Sequence, residues 1–380
     1  MQRGTRHISY CTNVHPGETL TEIAEVLRGP VAEVKAAVCP ALPFGLGLRL
    51  GNQATEALLR APGALIELVE LCLNEGLYVF TLNGFPYGDF AASTVKAGVY
   101  APDWRSPERL AYTLRLARVL AHLPGPTHRT ISTVAGGFRP EADDVAAMAT
   151  HLRAAATGLA ELADETGVHI RLCLEPEPWT TLETTPETIR FFDAHLRSEA
   201  ASRDHLGVCY DCCHQAVHFE EPAASVAALV AAEVPIGKVQ VSSALHLAQP
   251  ADPEARAALM AFAEPRYLHQ VVGRRVDGTL LRALDLPAVP TDEAWTQAEA
   301  WRCHFHVPIG WAGAGALSTT RADWQAAVRA VVAADACPHL EVETYTWSVL
   351  PAVEQAALAG DGLVAGVVAE LAALAAVLDA

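Results

Sequence analysis

The stretch LCLEPEP, Leu172–Pro178, contains an apolar run that ends on a carboxylate, Glu175, and is followed directly by proline. Proline cannot continue a central strand because it has no N–H group for the ladder. Glu175 therefore stands at the carboxyl end of a predicted strand. Four more apolar runs end on an acidic or amide side chain: Leu77–Asn83, Leu206–Asp211, Lys238–Gln240 and Leu340–Glu343.

Polar strand ends that recur in this way are typical of a parallel barrel, whose active-site groups come from the carboxyl ends of several strands. Along the chain, apolar runs alternate with longer stretches of helical period, which indicates βα units. The eight predicted strands are His7–Asn13, Phe44–Leu50, Leu77–Leu82, Thr130–Val134, Ile170–Leu174, Leu206–Tyr210, Ile236–Val241 and Leu340–Val342. The predicted fold class is therefore α/β, a (β/α)8 TIM barrel in which residues 1–380 form a single domain.

A doubly wound open sheet is the alternative architecture. A dinucleotide-binding sheet of that kind has a G-x-G-x-x-G turn directly after a strand. The glycines of Phe44–Gly51 have a different spacing and lie inside the strand itself. The barrel is therefore favoured.

One segment, His246–Trp301, is too long for a simple βα loop. It contains a helical piece, Pro253–Ala263, and a hairpin-like stretch whose turn is Asp277-Gly278. Asp-Gly between alternating apolar residues is a strong hairpin signal. We predict that residues 246–301 are an insertion after strand seven, on the active-site face, where they could act as a lid.

The net charge of −17 disfavours nucleic acid and anionic membrane surfaces as partners, because both require clustered Lys and Arg. A small sugar or cyclitol-like metabolite is compatible with this charge. The most apolar stretch, Leu363–Leu378, is shorter than the ~20 residues that span a bilayer and is interrupted by Glu370, so we expect a core-facing helix and no membrane insertion.

The compartment is predicted from the first residues and from the thiols. The N-terminal stretch has no apolar core of a secretory signal, and the nine cysteines are scattered through apolar strands. Reduced thiols and a cytoplasmic location are therefore expected. Cys209–Cys213 together with His214 could form a zinc–thiolate site, but a second pair of ligands at suitable spacing is missing.

The acidic strand ends predict a metal centre. Glu175, Asp211 and Glu343 would face one point. Carboxylates at such a short distance repel each other unless a cation or shared protons offset their negative charges. A divalent metal ion is the simplest solution. The sequence leaves its identity open among Mn, Zn, Fe, Co and Mg.

Further polar residues lie near the same strand ends. His214 follows Asp211 by three positions, and Gln240 could ligate a cation weakly, bind a substrate hydroxyl or satisfy buried backbone. Glu177 points to the same side as Glu175 and ranks behind it as a ligand. Four more residues are predicted to bind substrate: His15, Asn83, His269 and His306. Of these, His306 shares one face of an extended segment with His304.

These residues resemble a known superfamily, the xylose isomerase-like barrels, which include sugar and sugar-phosphate isomerases and epimerases. Five fuller runs resemble one branch of it, the EboE-type metabolite traffic proteins of bacterial operons thought to process or export a small metabolite. These runs are Ser9–Glu18, Thr81–Gly88, Leu174–Pro178, Asp211–Gln215 and His304–Pro308. The sequence leaves open a homodimer and association with other proteins of the same operon.

The resemblance implies metal ligation by Glu175, Asp211 and Glu343. In the epimerases the strand-seven ligand is usually a histidine, and here Gln240 stands in its place. The missing imidazole would come from His304 or from another of the nearby histidines.

The resemblance also implies a reaction. A divalent cation would hold an α-hydroxycarbonyl substrate and stabilise an enediolate, with Glu175 and Glu343 as the paired base and acid. His214 and one of His304 and His306 would orient or protonate the hydroxyls. A non-catalytic carrier of the same metabolite is the second hypothesis, which the absent strand-seven histidine favours. A metal-dependent endonuclease, also known in the superfamily, is disfavoured by the acidic charge.

Overall fold

The structure, a computed structural model, describes residues 1–139, 144–359 and 362–380. Its strands in chain order are β1 Gln2–Arg3, β2 Arg6–Tyr10, β3 Phe44–Arg49, β4 Leu77–Asn83, β5 His128–Val134, β6 His169–Glu175, β7 Leu206–Asp211, β8 Ile236–Val241, β9 Ser243–Leu247, β10 Val271–Arg274, β11 Leu280–Ala283, β12 Ala300–Val307, β13 Gly313–Ala314, β14 Leu317–Thr319 and β15 His339–Val342. The α-helices are α1 Leu20–Val26, α2 Ala32–Val38, α3 Asn52–Arg60, α4 Ala64–Asn74, α5 Pro107–His122, α6 Val145–Thr166, α7 Thr185–Phe191, α8 Ala200–His205, α9 Cys212–Val217, α10 Pro222–Ala231, α11 Pro253–Met260, α12 Glu293–Thr296, α13 Arg321–Ala333, α14 Ala352–Ala359 and α15 Leu363–Leu378.

Eight parallel strands form a nearly closed barrel, in the order β2-β15-β8-β7-β6-β5-β4-β3, with β1 added antiparallel to β2. The two end strands approach each other through a parallel bridge between Cys11 and Gly47, and the Gly47 N–H donates to Ser9 Oγ at 3.1 Å. All eight predicted strands are present, and the TIM-barrel fold class is confirmed. The helices pack outside the barrel with apolar residues at helical spacing, for example Leu116 and Leu120 of α5.

The glycine-rich run of β3 serves close packing inside the barrel. A Cβ at Gly47 would lie 1.5 Å from Glu341 Oε1, so only glycine leaves room for that carboxylate. Glu341 forms an ion pair with Lys238 at 2.7 Å, and both side chains are fully buried. The strand is therefore a wall around a buried ion pair that lies one inward-facing position before the polar strand ends of β8 and β15.

A second sheet is inserted between β8 and β15. It is antiparallel with the order β11-β10-β12-β9-β14-β13 and contains the predicted hairpin, Val271–Arg274 with Leu280–Ala283. The sheet begins at Ser243 and ends at Thr319, and is therefore wider than the predicted 246–301. The reason is that β9 pairs with both β12 and β14, which are far away in sequence. As a result, His304 and His306 belong to the inserted sheet.

Among the described residues, no single helix is both long and apolar enough to cross a bilayer. The pair Ala352–Leu358 and Leu363–Leu378 passes that test of length and composition only when the two helices are taken together, and it bends by 64°.

Candidate active site

Three carboxylates from different strands meet at the carboxyl ends of the barrel strands. Glu175 ends β6, Asp211 ends β7 and Glu343 follows β15, and one oxygen of each lies within 4.8 Å of the others. All three side chains are buried. We call them the carboxylate group. Their convergence follows from the fold, because parallel strands of a barrel end at the same rim.

The electrostatics of the carboxylate group call for a cation. Burial raises the pKa of Glu175 and of Glu343 well above the usual range, and the neighbouring carboxylates raise it further. Glu175 Oε2 and Asp211 Oδ2 are buried without a hydrogen-bond partner among the described residues. Buried oxygens of this kind are costly unless a proton or a metal ion satisfies them. The group therefore fits a divalent cation.

Two other oxygens of these carboxylates, Glu343 Oε1 and Asp211 Oδ1, are held by amide and hydroxyl donors. Asn13 and Asn83 each donate from Nδ2 to Glu343 Oε1 at 2.8 Å. Asp211 Oδ1 accepts from Ser242 Oγ at 2.8 Å and from the His214 N–H at 2.9 Å, so the aspartate also caps helix α9. These donors fix the orientation of the carboxylates.

Gln240 lies in the register of the same layer. It pairs with Asp211 on β7 and with Glu341 on β15, and its side chain is fully buried. Neither Oε1 nor Nε2 has a hydrogen-bond partner among the described residues. An amide in this state is unusual in a core, since buried polar atoms are nearly always paired. Its carbonyl oxygen is thus available to a ligand.

Three histidines, His214, His304 and His306, form a second set of acceptors, which we call the imidazole group. In each, Nδ1 faces an acceptor: the Pro176 carbonyl at 3.0 Å for His214, Gln270 Oε1 at 2.7 Å for His304 and the Glu343 carbonyl at 2.8 Å for His306. Nδ1 must therefore carry the proton. Burial lowers the pKa of His214 to about 4 and also lowers the pKa of His304 and of His306.

Neutral imidazoles that are protonated on Nδ1 expose a lone pair on Nε2. The Nε2 atoms of His214 and His306 face each other at 3.3 Å, and His304 Nε2 is buried without a partner among the described residues. Two lone pairs at that distance repel each other unless a cation lies beside them. Asp211, His214 and His306 can offer one ligand atom each within 4.8 Å, so Asp211 is shared between the carboxylate group and the imidazole group. Backbone acceptors on the far nitrogen are the usual support of metal-bound histidine.

A narrow cavity of about 50 Å³ opens above these groups. Its floor includes Asn13, Asn83, Glu175, Glu177, Glu343 and the imidazole group. Its outer wall is apolar and aromatic: Phe85, Pro86, Phe90, Val99, Tyr100, Tyr267, Leu268 and Tyr345. Among the described lining residues, Lys96 is the only Lys or Arg. Its ammonium donates to Asp285 Oδ2 at 2.7 Å and to the carbonyls of Tyr267 and Glu264 at 2.7 and 3.2 Å, so it is fully engaged.

Two of the residues predicted to bind substrate lie elsewhere. His15 faces a separate small cavity with Arg49 and Leu48, and its Nε2 pairs with Tyr10 Oη at 2.9 Å. His269 is fully buried in the inserted sheet, where Nε2 bonds Glu264 Oε1 at 2.8 Å and Nδ1 bonds the His304 carbonyl at 3.1 Å. Both imidazoles are occupied by contacts within the fold, so we leave them out of the site.

The predicted ligand His304 lies apart from the carboxylate group. It lines the cavity, but it groups with Glu177 and His214, and with Cys213 and His306, and not with the carboxylate group. The reason is that Gln270 on the inserted sheet holds its ring from the far side. Asn83 and His306, which are both predicted to bind substrate, line the cavity.

Sequence reasoning missed or ranked low several residues of this site. Asn13 was not singled out, although it ends the first predicted strand as an amide, which is the signal that identified Asn83. Glu177 was ranked behind Glu175, yet it lines the cavity and accepts from Tyr100 Oη at 2.8 Å. Burial raises the pKa of Glu177 to about 8. Tyr100 itself carried no signal, because it lies in the short 3-10 helix Lys96–Tyr100, outside the predicted strands.

These pKa shifts predict how stability depends on pH without metal. The folded protein binds more protons at Glu175, Glu177 and Glu343 than the unfolded chain does, so their contribution to stability is lost as pH rises through the folded pKa values. The imidazole group acts in the opposite sense, but only below about pH 6.5, the value of unfolded histidine. We therefore expect the free energy of unfolding of the chelator-treated protein to fall by on the order of 2 kcal/mol between about pH 6.5 and 8.5.

Urea unfolding with EDTA and with saturating Mn²⁺ measures this dependence. Added Mn²⁺ should remove most of the fall, because a bound cation stabilises the ionised carboxylates. A free energy of unfolding that stays constant between about pH 6.5 and 8.5 without metal would contradict the raised pKa values of the buried carboxylates.

Comparison with known proteins agrees with this fold. A model of the xylose isomerase-like TIM barrel family matches residues 49–357. Among solved structures, a xylose isomerase-like TIM barrel protein from Mycobacterium smegmatis in complex with magnesium has 13% identity and a TM-score of 0.52, covering 100% of this chain and 99% of that chain. The IOLI protein with a binding zinc atom has 11% identity and a TM-score of 0.51, covering 97% of this chain and 96% of that chain.

At these identities the likeness to solved structures concerns the fold. A search of the curated proteins finds no match to this sequence. The family match covers more than half of the chain and includes the strands that carry Glu175, Asp211 and Glu343. The chain therefore belongs to the xylose isomerase-like TIM barrel family.

Proposed function

We propose that the protein is a metal-dependent isomerase or epimerase of a small, uncharged polyhydroxy metabolite, a sugar or cyclitol. The observation that carries the proposal is the carboxylate group, whose buried and unsatisfied oxygens converge at the mouth of the barrel. The two structural relatives were solved with zinc and with magnesium, which supports a divalent cation in a barrel of this fold.

We also propose that the protein acts in a metabolite processing or export pathway as an EboE-type protein. The support is that all five sequence runs behind that resemblance contribute residues that line the cavity. Ser9–Glu18 contributes Asn13, and Thr81–Gly88 contributes Asn83. The other three runs contribute Glu175 and Glu177, His214, and His304 with His306. Motif runs that meet around one cavity indicate that the resemblance concerns the site.

The residues that would hold a cation are Glu175, Asp211 and Glu343, with Gln240 Oε1 as a further oxygen. A divalent cation held there would polarise the oxygens of an α-hydroxycarbonyl group and would stabilise the negative charge that develops on them. The neighbouring acceptors, His214 and His306, share Asp211 with this group and fit a second cation.

The side chains of the chain perform the proton transfers. Glu175 and Glu343, on different strands, lie where one can remove a carbon-bound proton and the other can return it. Asn13 and Asn83 both donate to Oε1 of Glu343, which leaves its Oε2 for the proton transfer. The Nε2 lone pair of His304, which has no partner among the described residues, accepts a hydrogen bond from a substrate hydroxyl.

The charge of the site favours an uncharged substrate. The cavity lining includes several carboxylates, and the ammonium of Lys96 already has three acceptors. A phosphate group would therefore meet these carboxylates without a free Lys or Arg partner in the lining, and like charges in contact cost several kcal/mol.

Solvent-deuterium exchange on a panel of sugars and cyclitols, each with its phosphate ester, tests the proposal. We expect the Mn²⁺-loaded protein to exchange one carbon-bound hydrogen of an uncharged member, and the matching phosphate ester to react at least about tenfold more slowly. Elemental analysis of the purified protein should find a divalent metal. Protein that binds no divalent metal and exchanges no member of the panel would contradict the proposal.

A carrier that holds the same metabolite without turnover is the second candidate. The observation in its favour is Gln240, an amide at the position where the resemblance implies a histidine ligand. The same panel separates the two functions. A carrier keeps its ligand bound in native mass spectrometry but does not exchange a carbon-bound hydrogen of that ligand with solvent deuterium.

A further inference from the structure

Glu370 is a carboxylate in an otherwise apolar and buried helix stripe. The buried residues of α15 recur at helical spacing: Gly366, Val367, Glu370, Leu371, Leu374 and Ala375. The pattern calls for an apolar side chain at 370, because a buried carboxylate is costly unless it is hydrogen-bonded. Glu370 is 3% exposed, so the fold satisfies it internally.

Three donors from two different segments converge on this carboxylate. Oε1 accepts from the Ile309 N–H at 3.0 Å and from Thr344 Oγ1 at 2.6 Å. Oε2 accepts from Trp347 Nε1 at 3.1 Å. Burial raises the pKa of Glu370 to about 7, while all three hydrogen bonds favour the ionised form. Helix α15 also packs closely against Trp347 at Gly366, where a Cβ would lie 2.6 Å from the indole ring.

The two segments held by Glu370 are the ones that bring Glu343 and His306 to the cavity. Thr344 directly follows Glu343, and Ile309 lies three residues after His306. The segments are also bonded to each other, because Thr346 Oγ1 donates to the His306 carbonyl and His306 Nδ1 donates to the Glu343 carbonyl at 2.8 Å. Glu370 ties this pair together from the side away from the cavity.

We propose that Glu370 is a positioning residue of the site: by binding Ile309, Thr344 and Trp347 together it holds the Glu343 carboxylate and the His306 ring in register. This inference rests on the proposed function, since it concerns the same site. Glu370 touches neither the cavity lining nor the carboxylate group, so it acts only through these two segments. Supporting groups of this kind typically change metal affinity or activity 10–100-fold.

The test compares Glu370→Leu, Glu370→Gln and the control Glu354→Gln on the preceding helix. Leucine completes the apolar stripe but leaves three buried donors without an acceptor, so we expect a folded protein with a lower thermal midpoint than wild type. Its three former donors lose their acceptor, and we expect Mn²⁺ affinity, measured by electron paramagnetic resonance, to fall at least about tenfold, with kcat falling more than KM changes. Glutamine keeps an oxygen that can serve Ile309 and Thr344, and should recover part of both losses.

A second readout does not depend on metal or on substrate. In ¹⁵N-labelled protein, Glu370→Leu should shift the Trp347 indole N–H and the His306 Nδ1–H resonances, whereas Glu354→Gln should leave both in place. Gly366→Ala, which keeps the carboxylate but displaces Trp347, should shift the same two resonances.

The outcomes separate the two proposals. Wild-type Mn²⁺ affinity and an unmoved His306 resonance in a folded Glu370→Leu protein would overturn the positioning role. If the wild-type protein binds no Mn²⁺ and exchanges no substrate hydrogen, the proposed function fails, and the His306 resonance alone then decides the role of Glu370.

Discussion

Glu343→Gln is expected to abolish the exchange of substrate hydrogen with solvent deuterium. Glutamine keeps the size of the side chain and can still accept from Asn13 and Asn83, so the fold and the cavity should persist. It cannot take up or return a proton. General acid–base groups typically contribute 10²–10⁴-fold, and we expect a loss of about 10³-fold in the exchange rate.

The measurement is the rate of deuterium incorporation by mass spectrometry for the best member of the substrate panel. Glu67→Gln, an exposed glutamate on α4, is the matched control and should exchange at the wild-type rate. Full exchange by Glu343→Gln in protein that still binds Mn²⁺ would remove Glu343 from the acid–base role and leave Glu175 to act with another group.

Asp211→Asn should have the largest effect on metal binding. Asp211 is the ligand that the carboxylate group and the imidazole group share, so the substitution removes a charge from both. Asparagine is also a good N-cap and keeps the bond from the His214 N–H, so helix α9 should still form. We expect Mn²⁺ affinity to fall by about 100-fold, which corresponds to about 2.7 kcal/mol.

Isothermal titration of metal-free protein with Mn²⁺ checks this result. Asp252→Asn is the matched control, because Asp252 caps helix α11 through the Glu254 N–H and lies outside the cavity lining. Equal Mn²⁺ affinities for Asp211→Asn and Asp252→Asn would show that the strand ends do not bind the cation, and with it the proposed mechanism would fall.

The barrel and the convergence of its acidic strand ends could be predicted because both follow from local sequence. Apolar runs with helical stretches between them give parallel strands, and parallel strands end at one rim. Glu175 is marked further by the prolines behind it, and Asp211 by the histidine three residues on. The structure brings these two residues together with Glu343.

The inserted sheet could not be bounded from sequence, because its limits depend on pairing between distant strands. Val271–Arg274 and Leu280–Ala283 are joined by a recognisable turn, whereas Ser243–Leu247 and Ala300–Val307 pair across more than fifty residues. Local patterns carry no information on such partners. The same limit explains why His304 and His306 could be seen as sharing a face but not assigned to a sheet.

The histidines show where side-chain reasoning ends. A strand end fixes where a residue lies, but the direction of its ring depends on the partner of each nitrogen. His15 turns to Tyr10 and His269 turns to Glu264, whereas His214 and His306 turn their Nε2 atoms toward each other. Those partners belong to other segments of the chain, and nothing at the histidine itself reveals them.

The small volume above the carboxylate group has a consequence for the entry of a substrate. A space of about 50 Å³ accommodates roughly four water molecules, at about 10–15 Å³ for each. Lys96 lines this space and binds Asp285 and the Tyr267 carbonyl, so its segment is tied to the residues that flank β10 and β11. If a substrate enters by opening this contact, the motion would take microseconds to milliseconds. Turnover that slows in proportion to solvent viscosity would identify this gate, and not the proton transfer, as the rate-limiting event.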